Sequence, residues 1–165
     1  MCVPDERARP NLLRSRKQGY PYDMSALAGE ERLMTMKSLG RHLIIELFHC
    51  DRAILNDQKT LENYLLEAVR LSGATTIQPF FHQFSPHGIS GIVLIAESHF
   101  AVHTWPEYGY CAMDIFTCGE QIKAQEALVF LREKLGAGAV STMEIKRGIL
   151  DLPQSEIRHK PYQGS

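Results

Sequence analysis

Residues 88–119 read "GISGIVLIAESHFAVHTWPEYGYCAMDIFTCG". Three runs of strand character, 89–97, 100–105 and 110–119, follow one another here with only Ser98-His99 and the turn "PEYG" between them. Connections this short cannot carry a crossover, so the strands pair antiparallel. The first run is apolar on both faces, with Ile92 and Leu94 against Val93 and Ile95. A sheet built from it needs cover on both sides. The same stretch leaves its apolar run through Glu97, Ser98 and His99, then places His103, Trp105 and Glu107 within ten residues. A core strand needs none of these, so they mark a candidate site.

Working outward, "RHLIIELFHCD" (41–51) alternates as a strand. "NDQKTLENYLLEAVRLSG" reads as a helix, capped by Asn56 or Asp57, striped by Leu61, Leu65 and Ala68, and stopped by Gly73. Residues 74–84 return to strand, with Pro79 marking an edge or irregularity. "EQIKAQEALVFLREKLG" is a second helix, striped by Ala124, Leu128, Leu131 and Leu135, and 139–148 is a last strand. "GEERLMTMKSLG" (29–40) reads as a short helix ending at Gly40. The expected fold is α+β: a two-layer α/β sandwich with a mainly antiparallel sheet and two helices on one face. The other face is expected to meet a second sheet, most simply from a dimer partner. Residues 1–37 are expected to be a disordered extension, 38–150 the folded domain and 151–165 a polar tail.

A length of 165 residues suits one domain with a real core. The net charge of −1 offers no global attraction for nucleic acid or an anionic membrane. No apolar run approaches a membrane span, and the first 23 residues hold no signal-peptide core. The four cysteines, Cys2, Cys50, Cys111 and Cys118, form no CxxC pair, which favours reduced thiols and the cytoplasm. Cys111 and Cys118 are an odd number apart on one strand and face opposite sides.

Several chemistries are disfavoured. His99 and His103 are roughly 13 Å apart on extended chain and cannot share one zinc, so no metal is expected. No phosphate-loop motif is present. Ser98, His103 and Asp114 could make a hydrolase triad, but no GxSxG elbow surrounds Ser98. Cys118 is either a small buried hydrophobe or a positioned proton donor sharing a face with Asp114 and Tyr110.

Taken together, "GRHLIIELFHCD", "FHQFSPHGISGIVLIAESH" and "HTWPEYGYCAMDIFTCGE" resemble the bacterial and archaeal S-adenosylmethionine decarboxylase proenzyme family, from about Gly40 to Gly148. The resemblance implies a pyruvoyl enzyme, a carboxy-lyase that cuts its own chain at Glu97-Ser98 and turns Ser98 into the cofactor. Ser98 would then hold substrate as a Schiff base. The implied roles are His103 as the base that removes the α-proton during elimination, Ser90 as a processing serine and Cys118 as the proton donor in turnover. Phe84 and Trp105 would line the substrate pocket, and Glu107 would accept the ribose hydroxyls. On residues alone, Phe84 and Trp105 read equally as core packing, and Ser90 and Glu107 as turn residues. The implied product, decarboxylated S-adenosylmethionine, donates aminopropyl groups in spermidine synthesis. The family fold is an α/β sandwich whose dimer stacks two sheets, with active sites that borrow residues from both protomers.

The chemistry is self-consistent. Decarboxylation needs an electron sink, and no lysine lies between Leu71 and Gln121 to carry a pyridoxal cofactor there. Odd spacing puts Ser98 and His103 on opposite faces of one straight strand, so a single-chain site requires a bend near the cut. Trp105, Pro106 and Glu107 favour a nucleoside substrate over arginine or ornithine, the alternatives on such a scaffold. A non-catalytic partner subunit is disfavoured because Ser90, Ser98, His103 and Cys118 are all present.

Overall fold

The alternation in 88–119 becomes three consecutive antiparallel strands in the computed structural model, which describes residues 38–118, 121–152 and 156. The elements are β1 (Ser38–Phe48), a 3-10 turn (Ile54–Asn56), α1 (Gln58–Ser72), β2 (Thr76–Gln83), β3 (Ile89–Ile95) and β4 (Ser98–Trp105). A second 3-10 turn (Pro106–Tyr108), β5 (Tyr110–Cys118), α2 (Ala124–Lys134) and β6 (Ala139–Ile149) follow. The six strands form one sheet in the order β2-β3-β4-β5-β1-β6, every pair antiparallel. The fold is thus the expected α+β arrangement. The first strand, β1, lies inside the sheet, between β5 and β6.

Period-two alternation decides the faces. On β5 the even-numbered residues are part-exposed and the odd-numbered ones, including Cys111, Met113 and Ile115, are buried. Leu43, Ile45 and Leu47 of β1, Val93 and Ile95 of β3, and Phe100 and Val102 of β4 share that inner face. They join Leu61, Leu65 and Val69 of α1 and Leu128 and Leu131 of α2 in one core. The α1 start is fixed by Asp57, whose carboxylate accepts from the Thr60 backbone N–H at 3.2 Å. Its end is fixed by Gly73 at φ 78°, in the left-handed region. Thr104 is the buried polar exception on β4. Its hydroxyl donates to the Leu55 carbonyl and accepts from the Ile89 N–H, both at 2.8 Å, and so locks β4 to its neighbours just beside His103 and Trp105.

Two sequence expectations change. The helix expected over 29–40 is not one at its end, because Ser38, Leu39 and Gly40 belong to β1. Gly40 pairs with Cys118 on one side and Arg147 on the other, and an added Cβ there would lie 2.7 Å from the Phe116 ring. The glycine therefore serves a close approach inside the sheet, not a helix stop. Residues 29–37 of that helix lie outside the described residues, as do the expected extension 1–37 and most of the tail. The run 89–97 also shortens. β3 ends at Ile95 and β4 begins at Ser98, so Ala96 and Glu97 form a two-residue hairpin turn.

Candidate active site

The outer face of the sheet carries His42, Ser90, His99, His103, Trp105, Asp114 and Cys118, whereas Ser98, paired with the buried Ile95 and Thr117, opens β4 on the inner-face register. Cross-strand register lines up Ser90 with His103, Leu94 with His99, His99 with Phe116, and Phe116 with His42. The polar residues on this face gather at the two ends of β4.

At the Trp105 end, Ser90 and His103 face each other across β3 and β4, with Ser90 Oγ 2.8 Å from His103 Nδ1. Beside them lies a cleft of about 300 Å³ lined by Phe84, His87, Ser90, His103, Trp105 and Glu107, among others. Phe84 and Trp105 are 50% and 39% exposed, so core packing is not their role. Glu107 Oε2 sits 3.1 Å from His87 Nε2 at the rim. Trp105 packs on the Tyr110 ring at 5.3 Å between centroids. Tyr110 in turn donates to the Glu46 carboxylate, and that bond is the main cause that pushes its phenol up to about 12. Tyr110 therefore stays a protonated donor at neutral pH.

At the other end, the Glu97-Ser98 peptide occupies the hairpin turn. The Glu97 carbonyl accepts from the Cys118 N–H at 3.0 Å, and the Glu97 carboxylate accepts from the Thr75 N–H at 3.2 Å. Ser98 pairs with Ile95 and Thr117 in the ladders, and its Oγ lies 3.4 Å from His99 Nδ1. His99 Nε2 and His42 Nε2 both reach Asp114 Oδ2, at 2.9 and 3.1 Å. Among the described residues, His42, His99 and Asp114 are a group whose ligand atoms, all within 4.8 Å of one another, could geometrically hold a metal ion. The three described cysteines are free. Burial raises the Cys50 thiol to about 11, and burial raises Cys111 well above its ordinary value, so both are inert thiols. Cys118 differs from them in lying on the outer face, partly exposed.

The candidates therefore form two groups. Ser90, His103, Phe84, Trp105 and Glu107 are together, and so are Glu97, Ser98 and Cys118. The two groups do not meet within one chain. β4 pairs continuously with β5 from Ser98 to Trp105, so the bend that a single-chain site would need is absent. Five residues of extended strand put His103 roughly 17 Å from Ser98. Sequence reasoning passed over His42, weighed Asp114 only in a triad with Ser98 and His103, and gave His99 no role of its own. Their grouping depends on β1 lying beside β5, which no spacing within a strand reveals.

Comparison with known proteins gives the family. Residues 41–148 match the model of the S-adenosylmethionine decarboxylase family. A relative from Acidithiobacillus ferrooxidans, named S-adenosylmethionine decarboxylase proenzyme, is 50% identical over 129 residues, covering 76% of this chain and 97% of that protein. A proenzyme of the same name from Clostridium tetani is 45% identical over 118 residues, covering 72% and 94%. The crystal structure of the adenosylmethionine decarboxylase from Aquifex aeolicus superposes with a TM-score of 0.66 at 33% identity, covering 72% of this chain and 98% of that one. With 108 consecutive residues matched and half of the aligned positions identical to a relative, the chain belongs to the S-adenosylmethionine decarboxylase family.

Proposed function

We propose that this chain is made as a proenzyme, cuts itself between Glu97 and Ser98, and then decarboxylates S-adenosylmethionine to the aminopropyl donor of spermidine synthesis. The observation that carries this reading is the Glu97-Ser98 turn itself: the carbonyl to be attacked is held by the Cys118 N–H at 3.0 Å, on the residue whose thiol would later return a proton. Ser98 would supply a pyruvoyl group, and that group would provide the carbonyl electron sink that decarboxylation needs. The chain's own residues do the rest. Phe84 and Trp105 offer aromatic faces for a planar base and a sulfonium. Glu107 can accept two ribose hydroxyls. Cys118 lies at the Ser98 end to protonate the product carbanion.

The separation of the two groups supports a site shared between two copies. The outer face exposes Phe80, Ile92, Leu94 and Met143, a broad apolar surface of the kind that marks an interface. A two-fold axis near the middle of β4 would lay the Ser98 end of one sheet over the Ser90–His103 end of the other. Residues 38–150 are then the decarboxylase domain, 1–37 an extension and 151–165 a tail. No helix among the described residues is long and apolar enough to cross a membrane. The cytoplasm is the proposed compartment.

Denaturing intact mass tests the reading first. Two chains are expected, the one starting at residue 98 lighter by one ammonia than a serine-terminated chain. A single full-length mass that persists over days would overturn it, and turnover of arginine or ornithine in place of S-adenosylmethionine would overturn the substrate. Cys118→Ala is expected to leave both chains in place yet lower kcat by about 100-fold or more, the usual scale of a positioned proton donor. An unchanged kcat would remove Cys118 from turnover.

A further inference from the structure

The hydrogen bonds around Ser98 set a direction for its proton. Arg147 Nη1 lies 3.4 Å from His42 Nδ1, and a guanidinium can only donate. His42 Nδ1 is therefore an acceptor, and the ring hydrogen sits on Nε2, where it donates to Asp114 Oδ2 at 3.1 Å. The same carboxylate oxygen faces His99 Nε2 at 2.9 Å, so that nitrogen also carries its hydrogen. What remains on His99 is the Nδ1 lone pair, turned toward Ser98 Oγ at 3.4 Å. Phe116 backs the arrangement, its ring centroid 5.4 Å from His42, 6.0 Å from His99 and 4.7 Å from the Arg147 guanidinium. A bound cation would need the lone pairs of both Nε2 atoms. It would then put an N–H of His42 against the Arg147 guanidinium, so the network suits a proton relay better than a metal.

We propose that His99, oriented by Asp114 and His42, is the general base that starts the self-cut. This rests on the reading that the chain cuts at Glu97-Ser98. The Ser98 hydroxyl proton passes to His99 Nδ1 as Oγ attacks the Glu97 carbonyl carbon. The Oγ–C bond forms, the Glu97–Ser98 C–N bond breaks, and the proton goes from His99 to the departing Ser98 amine. The result is an ester with a free amine, with no change of oxidation state and no co-reactant. The Cys118 N–H, 3.0 Å from the Glu97 oxygen, lies where negative charge develops in this step. His103 is not available for it within the same chain, since it lies roughly 17 Å along β4. Its implied task, removal of the α-proton, comes later, so the two histidines serve different steps.

Esters are cut by hydroxylamine under conditions that leave amides intact, which separates those steps. Freshly made wild-type, His99→Ala, His99→Gln and His103→Ala chains are followed by denaturing mass with and without hydroxylamine. A thermal melt checks that each variant folds. The expected result is that both His99 variants cut at least about 100-fold more slowly than wild type and resist hydroxylamine, because no ester forms. Added imidazole is expected to restore part of the cutting in His99→Ala. His103→Ala also stays uncut but is split at 97–98 by hydroxylamine. Asp114→Asn, which keeps the imidazole but loses its orienting charge, is expected to slow cutting about 10-fold, with imidazole giving no rescue. A folded His99→Ala chain that cuts at the wild-type rate, or that hydroxylamine splits as readily as His103→Ala, overturns the proposal. A wild-type chain that never cuts overturns the reading beneath it, and the proposal with it.

Discussion

A Ser98→Ala chain is expected to remain one polypeptide and to have no measurable decarboxylase activity. The reason is atomic. Without Oγ there is no attack on the Glu97 carbonyl, no ester and no elimination, so the carbonyl electron sink is never made. The fold itself should survive. Ser98 enters the sheet through backbone pairing with Ile95 and Thr117, and alanine keeps that backbone. Denaturing mass and a carbonyl-specific label read the outcome directly. Activity that persists in a homogeneous, uncut Ser98→Ala protein would rule out Ser98 as the cofactor source, and with it every catalytic role assigned here.

Mixing two dead chains is expected to produce a live one. Ser98→Ala alone lacks the nucleophile, and His103→Ala alone lacks the group proposed to act on the partner's Ser98. If the site is shared, a heterodimer holds one complete site: Ser98 from the His103→Ala chain and His103 from the Ser98→Ala chain. With random pairing, roughly one site in four should be complete, all on the His103→Ala polypeptide. Co-expression with tags of different mass reads which chain is cut. If neither is cut, the two groups do not combine across copies, and the separation along β4 would need another explanation. The size of the effect, from none to a sizeable fraction, makes this decisive.

Much of the architecture was legible because period-two alternation is a local property. In 110–119 it put Cys111 and Cys118 on opposite faces, and the structure has Cys111 inside and Cys118 outside, on the face shared with Asp114 and Tyr110. The helices followed from Asp57, Gly73 and their leucine stripes. What failed was non-local. "GEERLMTMKSLG" carries helix-forming residues, but pairing of 38–40 with both β5 and β6 overrides that preference. The site divides the same way. Ser90 and His103 could be named from motifs, yet their 2.8 Å contact is set by the β3–β4 register. His42, His99 and Asp114 come from β1, β4 and β5, and only the placement of β1 next to β5 brings them together. Ser98, His103 and Asp114 had looked like a chance triad. The histidine that meets both Ser98 and Asp114 is His99.

The strand order also bears on what self-cutting does to the life of the protein. A break after Glu97 leaves β1, α1, β2 and β3 on one piece and β4, β5, α2 and β6 on the other. β1 is enclosed on both sides by strands of the second piece, and β3 lies along β4, so three ladders join the pieces. Neither can leave without dismantling the sheet. Before the break, folding is the affair of one molecule. Afterwards it is an encounter between two, and the effective concentration that the peptide link supplied is gone. Refolding of the mature protein should therefore slow on dilution, whereas the uncut chain should refold at a rate independent of concentration. Maturation would thus act as a ratchet: the chain gains its chemistry once and gives up the means to rebuild itself alone.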